Sequence, residues 1–142
     1  MTLYQIVTGL EEIALTHPNV RTAKDDNVYD IMNSNPSVKY GAFVITQTNH
    51  RQTEMFDYYG FNLFYIDRLV DNIETNRLQI QSIAKQTLGN IIATFCEDYD
   101  VDFPQTVRYT PFTQKFQDEC AGMYVTLEFE IPRDIICAEQ FE

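Results

Sequence analysis

A chain of 142 residues, 44% of them apolar, is long enough to bury a sizeable core as one domain spanning 1–142 without disulfide or metal staples. Its 21 acidic residues against 10 basic ones give a formal charge of -11, which disfavours sequence-specific binding of a phosphate backbone. Cys96, Cys120 and Cys137 are odd in number and lack a CxxC spacing, which argues against a secreted disulfide framework and a thiolate zinc site and points to reduced thiols.

In chain order, Leu3, Ile6, Val7, Leu10, Ile13 and Ala14 recur at three- and four-residue spacing and predict an amphipathic helix. Thr2 is its expected N-cap, and His17-Pro18 ends it because proline disfavours helical geometry in the residue before it. The stretch has no basic start and carries Glu11 and Glu12, so it reads as neither a signal peptide nor a membrane span, and the chain as soluble and made in a cytoplasm. A short strand is expected near Val20 to Ala23. It is followed by a loop excursion over about 24–39, rich in Asn, Asp, Ser and Pro, with a brief apolar patch at Val28 to Met32.

Tyr40 to Thr48 and Glu54 to Val70 read as two strands of a hairpin joined by a polar turn, Asn49-His50-Arg51-Gln52. The second carries aromatics on both parities: Tyr59, Phe61 and Tyr65 on one, Tyr58 and Phe64 on the other. Both its faces should therefore be covered, with Gly60 marking a bulge. Glu74 to Glu97 is the clearest helix, with a stripe of Ile80, Ile83, Ala84, Thr87, Leu88, Ile91, Ile92 and Phe95 that should cover one sheet face. The acidic run from Glu97 to Asp102 breaks it, and Phe103-Pro104 begins an extended segment through Val107 to Tyr109.

The last strand alternates cleanly: Met123, Val125, Leu127, Phe129 and Ile131 face the core, while Tyr124, Thr126, Glu128 and Glu130 face away. Pro132 stops it, and the tail 133–142 carries Ile135, Ile136 and Phe141, apolar groups suited to docking. Together these elements predict an α+β fold: a mixed, mostly antiparallel sheet of about four to five strands, with an N-terminal helix and one long helix packed on it.

The chemistry-bearing motifs are few. Asp98, Asp100 and Asp102 have the opening spacing of a calcium loop, but Phe103 replaces the glycine such a loop needs and Tyr109 replaces its bidentate acid. His17 and His50, the only histidines, have no partner at helical spacing. Cys120 follows Asp118 and Glu119, whose negative charge opposes thiolate formation, so a small buried residue is the expected reading. With no phosphate-cradling glycine loop either, no catalytic set, metal or cofactor is expected, and the chain reads as an interaction module rather than an enzyme. Tyr58, Tyr59, Phe64, Tyr124, Ile135, Ile136 and Phe141 are its candidate subunit or partner interface.

The corner Pro111, Phe112, Phe116, Asp118, Cys120, Ala121 and Gly122 ahead of the last strand, and the turn His17-Pro18-Asn19-Val20 after the first helix, carry a resemblance. With the order of elements over nearly the whole chain, they resemble the tail-terminator and head-tail connector (neck ring) proteins of tailed bacteriophages. The resemblance implies a structural virion protein assembled in the host cytoplasm, forming a closed ring of six or twelve copies that contacts adjacent portal, connector or tail proteins. DNA would pass through it without tight binding, past Asp98, Asp100 and Asp102 on the lumen, and no membrane is involved. It also assigns the corner: Phe112 and Phe116 anchor it, Asp118 bonds local backbone, Cys120 fills a small gap, and Ala121-Gly122 permits close backbone approach. The alternative is a small soluble adaptor that binds a protein partner through the 58–66 aromatic strand. A third reading, an acid-based enzyme site at Asp118 and Glu119, lacks a base, a metal-ligand set or a phosphate loop.

Overall fold

Thr2 opens the first helix as the sequence predicts, because its hydroxyl accepts the Gln5 N–H at 3.2 Å while the Gln5 side chain accepts the Thr2 N–H at 2.8 Å. This capping box satisfies two amides that helix geometry leaves unpaired. The computed structural model describes residues 1–25, 40–69, 73–115 and 119–133. Over these the chain forms α1 (Leu3–Thr16), β1 (Thr22–Asp25), β2 (Ala42–Gln52), β3 (Phe56–Arg68), α2 (Ile73–Asp98), β4 (Arg108–Lys115) and β5 (Glu119–Pro132).

The five strands form one sheet in the order β1-β2-β3-β5-β4. β1 runs parallel to β2, and every other neighbouring pair is antiparallel, so the fold is α+β with a mixed sheet. Both helices pack on the same face, α1 over β1 and β2 and α2 chiefly over β3 and β5. Period-two alternation sends Phe43, Ile45, Phe61, Leu63, Val125, Leu127, Phe129 and Ile131 beneath them. From the helices come Ile6, Leu10, Ala14, Leu88, Ile91, Ile92 and Phe95, which close the main core.

The His17-Pro18-Asn19-Val20 turn has a physical job that its sequence does not announce. The Asn19 side-chain amide donates to the Thr87 hydroxyl on α2 at 3.2 Å, and the Asn19 carbonyl accepts the Tyr65 hydroxyl of β3 at 3.0 Å. Thr87 is a wholly buried polar residue, so this bond supplies the partner that burial demands. One asparagine thereby ties the exit of α1 to the long helix and to the central sheet.

Several elements end elsewhere than the sequence suggests. Asn49 to Gln52 is not the hairpin turn: β2 runs through it to Gln52, and the chain reverses at Thr53 to Met55. The Thr53 N–H donates to the Phe56 carbonyl at 2.9 Å, and Arg133 donates to the Thr53 and Glu54 carbonyls at 3.4 and 3.3 Å. The irregularity that Gly60 signals is real but lies across from it: between the pairs Gln47–Phe61 and His50–Tyr59, β2 holds Thr48 and Asn49 against Gly60 alone. A β-carbon at Gly60 would stand 2.5 Å from the Asn49 carbonyl oxygen, so the bulge requires glycine there.

The extended segment expected from Phe103 becomes strand only at Arg108. The corner before the last strand is itself strand on both sides, with Pro111 and Phe112 in β4 and Cys120 to Gly122 in β5. Pro111 is tolerated because β4 is an edge strand. Ile83, assigned to the buried stripe of the long helix, is 40% exposed. The excursion expected from residue 24 starts later, because Lys24 and Asp25 continue β1 alongside β2; its remaining residues 26–39, with Phe116, Asp118 and the tail residues Ile135, Ile136 and Phe141, lie outside the described residues.

Candidate functional site

The sheet face opposite the helices carries the clearest surface constellation. Arg51, Tyr58, Glu128 and Glu130 are brought together by register, Arg51 pairing with Tyr58 and Tyr58 with Glu130 across β2, β3 and β5. Arg51 grips the Glu128 carboxylate through Nε at 3.3 Å and Nη2 at 3.4 Å, and its guanidinium carbon lies 3.8 Å from the centre of the Tyr58 ring. The Tyr58 hydroxyl donates to Glu130 at 3.1 Å. Burial, then the bond to Glu130, pushes the Tyr58 phenol up, while the Glu128 contact raises the Arg51 guanidinium, so both keep their protons at neutral pH. Next to this set, Thr126 donates to the Asn62 amide oxygen at 2.6 Å.

Further along the same face the polar set gives way to aromatics. Phe64 stacks on Tyr124 with ring centres 5.2 Å apart, and Phe112 meets Phe64 edge-on at 6.1 Å. Beside them Ala42, Val44, Ile66 and Cys120 are wholly buried in a second, smaller cluster against Tyr40, Phe64 and Phe112. On the helix side of β3 Phe61, Leu63 and Tyr65 are buried, whereas on the outer side Ile66 is buried but Tyr58, Asn62 and Phe64 are only half-buried, so the cover expected on both faces from the aromatic pattern is partial on this one. Of the residues proposed as an interface, Tyr58, Phe64 and Tyr124 share this outer face, whereas Tyr59 is on the helix side and packs against the main core. The structure therefore separates Tyr59 from the other three.

Asp98, Asp100 and Asp102 are all exposed at the end of α2. Asp100 adopts φ 54°, and the Val101 N–H returns to the Cys96 carbonyl at 2.9 Å, a Schellman-type ending that the acidic composition alone does not reveal. No cluster of three or more His, Cys, Asp or Glu residues that could hold a metal ion occurs among the described residues. His50 uses its ring locally, accepting the Gly60 N–H on Nδ1 at 3.3 Å and meeting the Gln47 amide oxygen through Nε2 at 2.9 Å.

The two described cysteines are buried. Burial, with a smaller contribution from the Asp102 charge, pushes the Cys96 thiol up to about 11. Alkylation by iodoacetamide at pH 8, followed by peptide mapping, should find Cys96 in the native protein at least about 100-fold slower than a free thiol. Rapid labelling without denaturant would show that the helix end opens.

Several large apolar side chains stand in solvent: Tyr4 is 78% exposed, Leu78 61%, Met55 60% and Phe103 52%. Tyr4 and Leu78 fall outside the apolar stripes of their helices, which marks them as outward-facing in the sequence. Among the described residues no helix is long and apolar enough to cross a membrane. Compared with known proteins, the sequence matches no family model and no curated protein.

Proposed function

We propose that the chain is a structural virion component, a tail terminator or head-tail connector of a tailed phage, whose copies close into a ring through which DNA passes. The observation that carries this reading is the placing of exposed apolar side chains near opposite ends of α2. Leu78 stands out near its start, and Tyr99 follows its end beside Tyr4 and Met1. At about 1.5 Å per residue, Leu78 and Tyr99 are roughly 30 Å apart along the helix. Two different patches on one molecule are what a head-to-tail contact uses, and such contacts close into rings when the rotation between neighbours permits. The net charge of -11 and the exposed Asp98, Asp100 and Asp102 support a lumen that repels DNA rather than holding it.

Two surface substitutions test the arrangement. Tyr4→Ser and Leu78→Ser each remove one patch at an exposed position, so both variants should fold with little change in stability. Sedimentation velocity should show that neither forms rings alone, while an equimolar mixture forms dimers through the one contact still intact. Unchanged assembly in both variants would refute these patches as the ring contact.

A further inference from the structure

β5 outruns its outer neighbour. β4 pairs with it from Glu119 to Thr126, while β3 pairs with it on the other side as far as Pro132. Leu127 to Pro132 therefore has a ladder partner on one side only among the described residues. The Arg133 N–H donates to the Met55 carbonyl at 2.9 Å, which fixes the hydrogen-bonding phase of this end of β5 towards β3. Because successive residues direct their backbone groups to alternate neighbours, the N–H and C=O groups of Glu128 and Glu130 point at the unpaired edge.

The chain leading into β4 does not fill that edge. Residues 102–106 swing away and leave a cleft of about 800 Å³ between themselves and β5. Its walls hold the carboxylates of Asp102, Glu128 and Glu130 against the single guanidinium of Arg51, with Tyr58 and Phe103 as apolar surface. Backbone with no ladder partner among the described residues, an open groove and local negative charge coincide at one place.

We propose that this edge binds an extended, lysine- or arginine-bearing segment of another protein as an added β-strand, antiparallel or parallel to β5. The backbone groups of Glu128 and Glu130 would supply the ladder, and the acidic walls would select the sign of the incoming side chains. Six residues of β5 offer about 20 Å of edge, enough for a short strand. Like charge disfavours residues 134–142 as a ligand for the acidic walls, since they carry Asp134, Glu139 and Glu142 and no basic residue. The inference does not depend on the ring reading, because it uses backbone and side chains outside the two α2 patches.

The test is amide exchange, followed by NMR on the full chain at low salt, with a capped peptide of alternating lysine and valine as the probe. In the free protein the Glu128 and Glu130 amides should exchange much faster than those of Leu127 and Phe129. Addition of the peptide should slow them by at least about tenfold. The matched glutamate-valine peptide should leave them fast, and the double variant Asp102→Asn, Glu130→Gln should weaken binding of the lysine peptide by about tenfold while keeping the native spectrum. Four results would overturn the proposal: slow exchange of both amides before any addition, no protection at millimolar peptide, equal protection by the glutamate peptide, or protection that appears with protein concentration alone. The last of these would mean that another copy of the chain occupies the edge.

Discussion

Gly122→Ala should be among the most damaging single substitutions in this protein, lowering the free energy of unfolding by about 3–5 kcal/mol. Gly122 sits in β5, between Ile66 of β3 and Phe112 of β4. A β-carbon there would overlap the Tyr65 carbonyl oxygen of β3, and the Phe112 ring, 3.2 Å away, lies against the same space. The obstacle on the β3 side is backbone in a central strand, so it cannot rotate aside as a side chain could. Relief requires β3 and β5 to separate, which would disturb the pairs on either side of Gly122. Urea unfolding of the variant and the parent should show a large drop in midpoint with a similar slope. A loss below about 1 kcal/mol would mean that the two strands are not held as closely as the structure has them.

Phe129→Ala should have the next largest effect, a loss of about 3–5 kcal/mol. Phe129 is wholly buried, with the Phe95 ring centre 4.9 Å away on α2 and that of Phe61 6.0 Å away on β3. Truncation opens a cavity where the long helix meets the sheet, and its rigid neighbours can refill it only in part. Tyr124→Ala, five residues earlier but on the outer face, removes a half-buried ring and should cost clearly less. The ordering matters more than either value, because it separates a main core under the helices from a thinner apolar layer outside. Equal losses would show that the two faces of the sheet carry comparable burial.

Strong periodicity made much of this fold legible. The Met123 to Ile131 alternation places Val125, Leu127, Phe129 and Ile131 in the core, and the three- and four-residue spacing of Ile6, Leu10 and Ala14 puts those side chains there too. The close approach expected at Gly122 follows from residue chemistry, since only a missing side chain admits another backbone so near. The hairpin turn is not legible, because Asn49 to Gln52 is as polar as a loop. In the structure that polarity belongs to the exposed outer half of β2, which leaves the core and needs no apolar residues to remain a strand.

The surface set was legible only in fragments. Tyr58 stands out among the aromatics, and hairpin register sets it beside Arg51, but its grouping with Glu128 and Glu130 follows from register with a strand far along the chain, as the Arg51–Glu128 and Tyr58–Glu130 bonds with separations of 77 and 72 show. Tyr59 shares its residue type with Tyr58, yet neighbours in a strand point to opposite faces, which puts Tyr59 on the helix side. Asn19 was visible only as part of a turn, because its ties to Thr87 and Tyr65 are long-range.

Ring formation is decided by the absolute mass of the purified protein, measured by light scattering across a concentration series with negative-stain images of the same sample. Closed rings are expected, with a mass near six or twelve times the 16.6 kDa of one chain. A mass of one chain throughout the series, with no annular particles in the images, would contradict it.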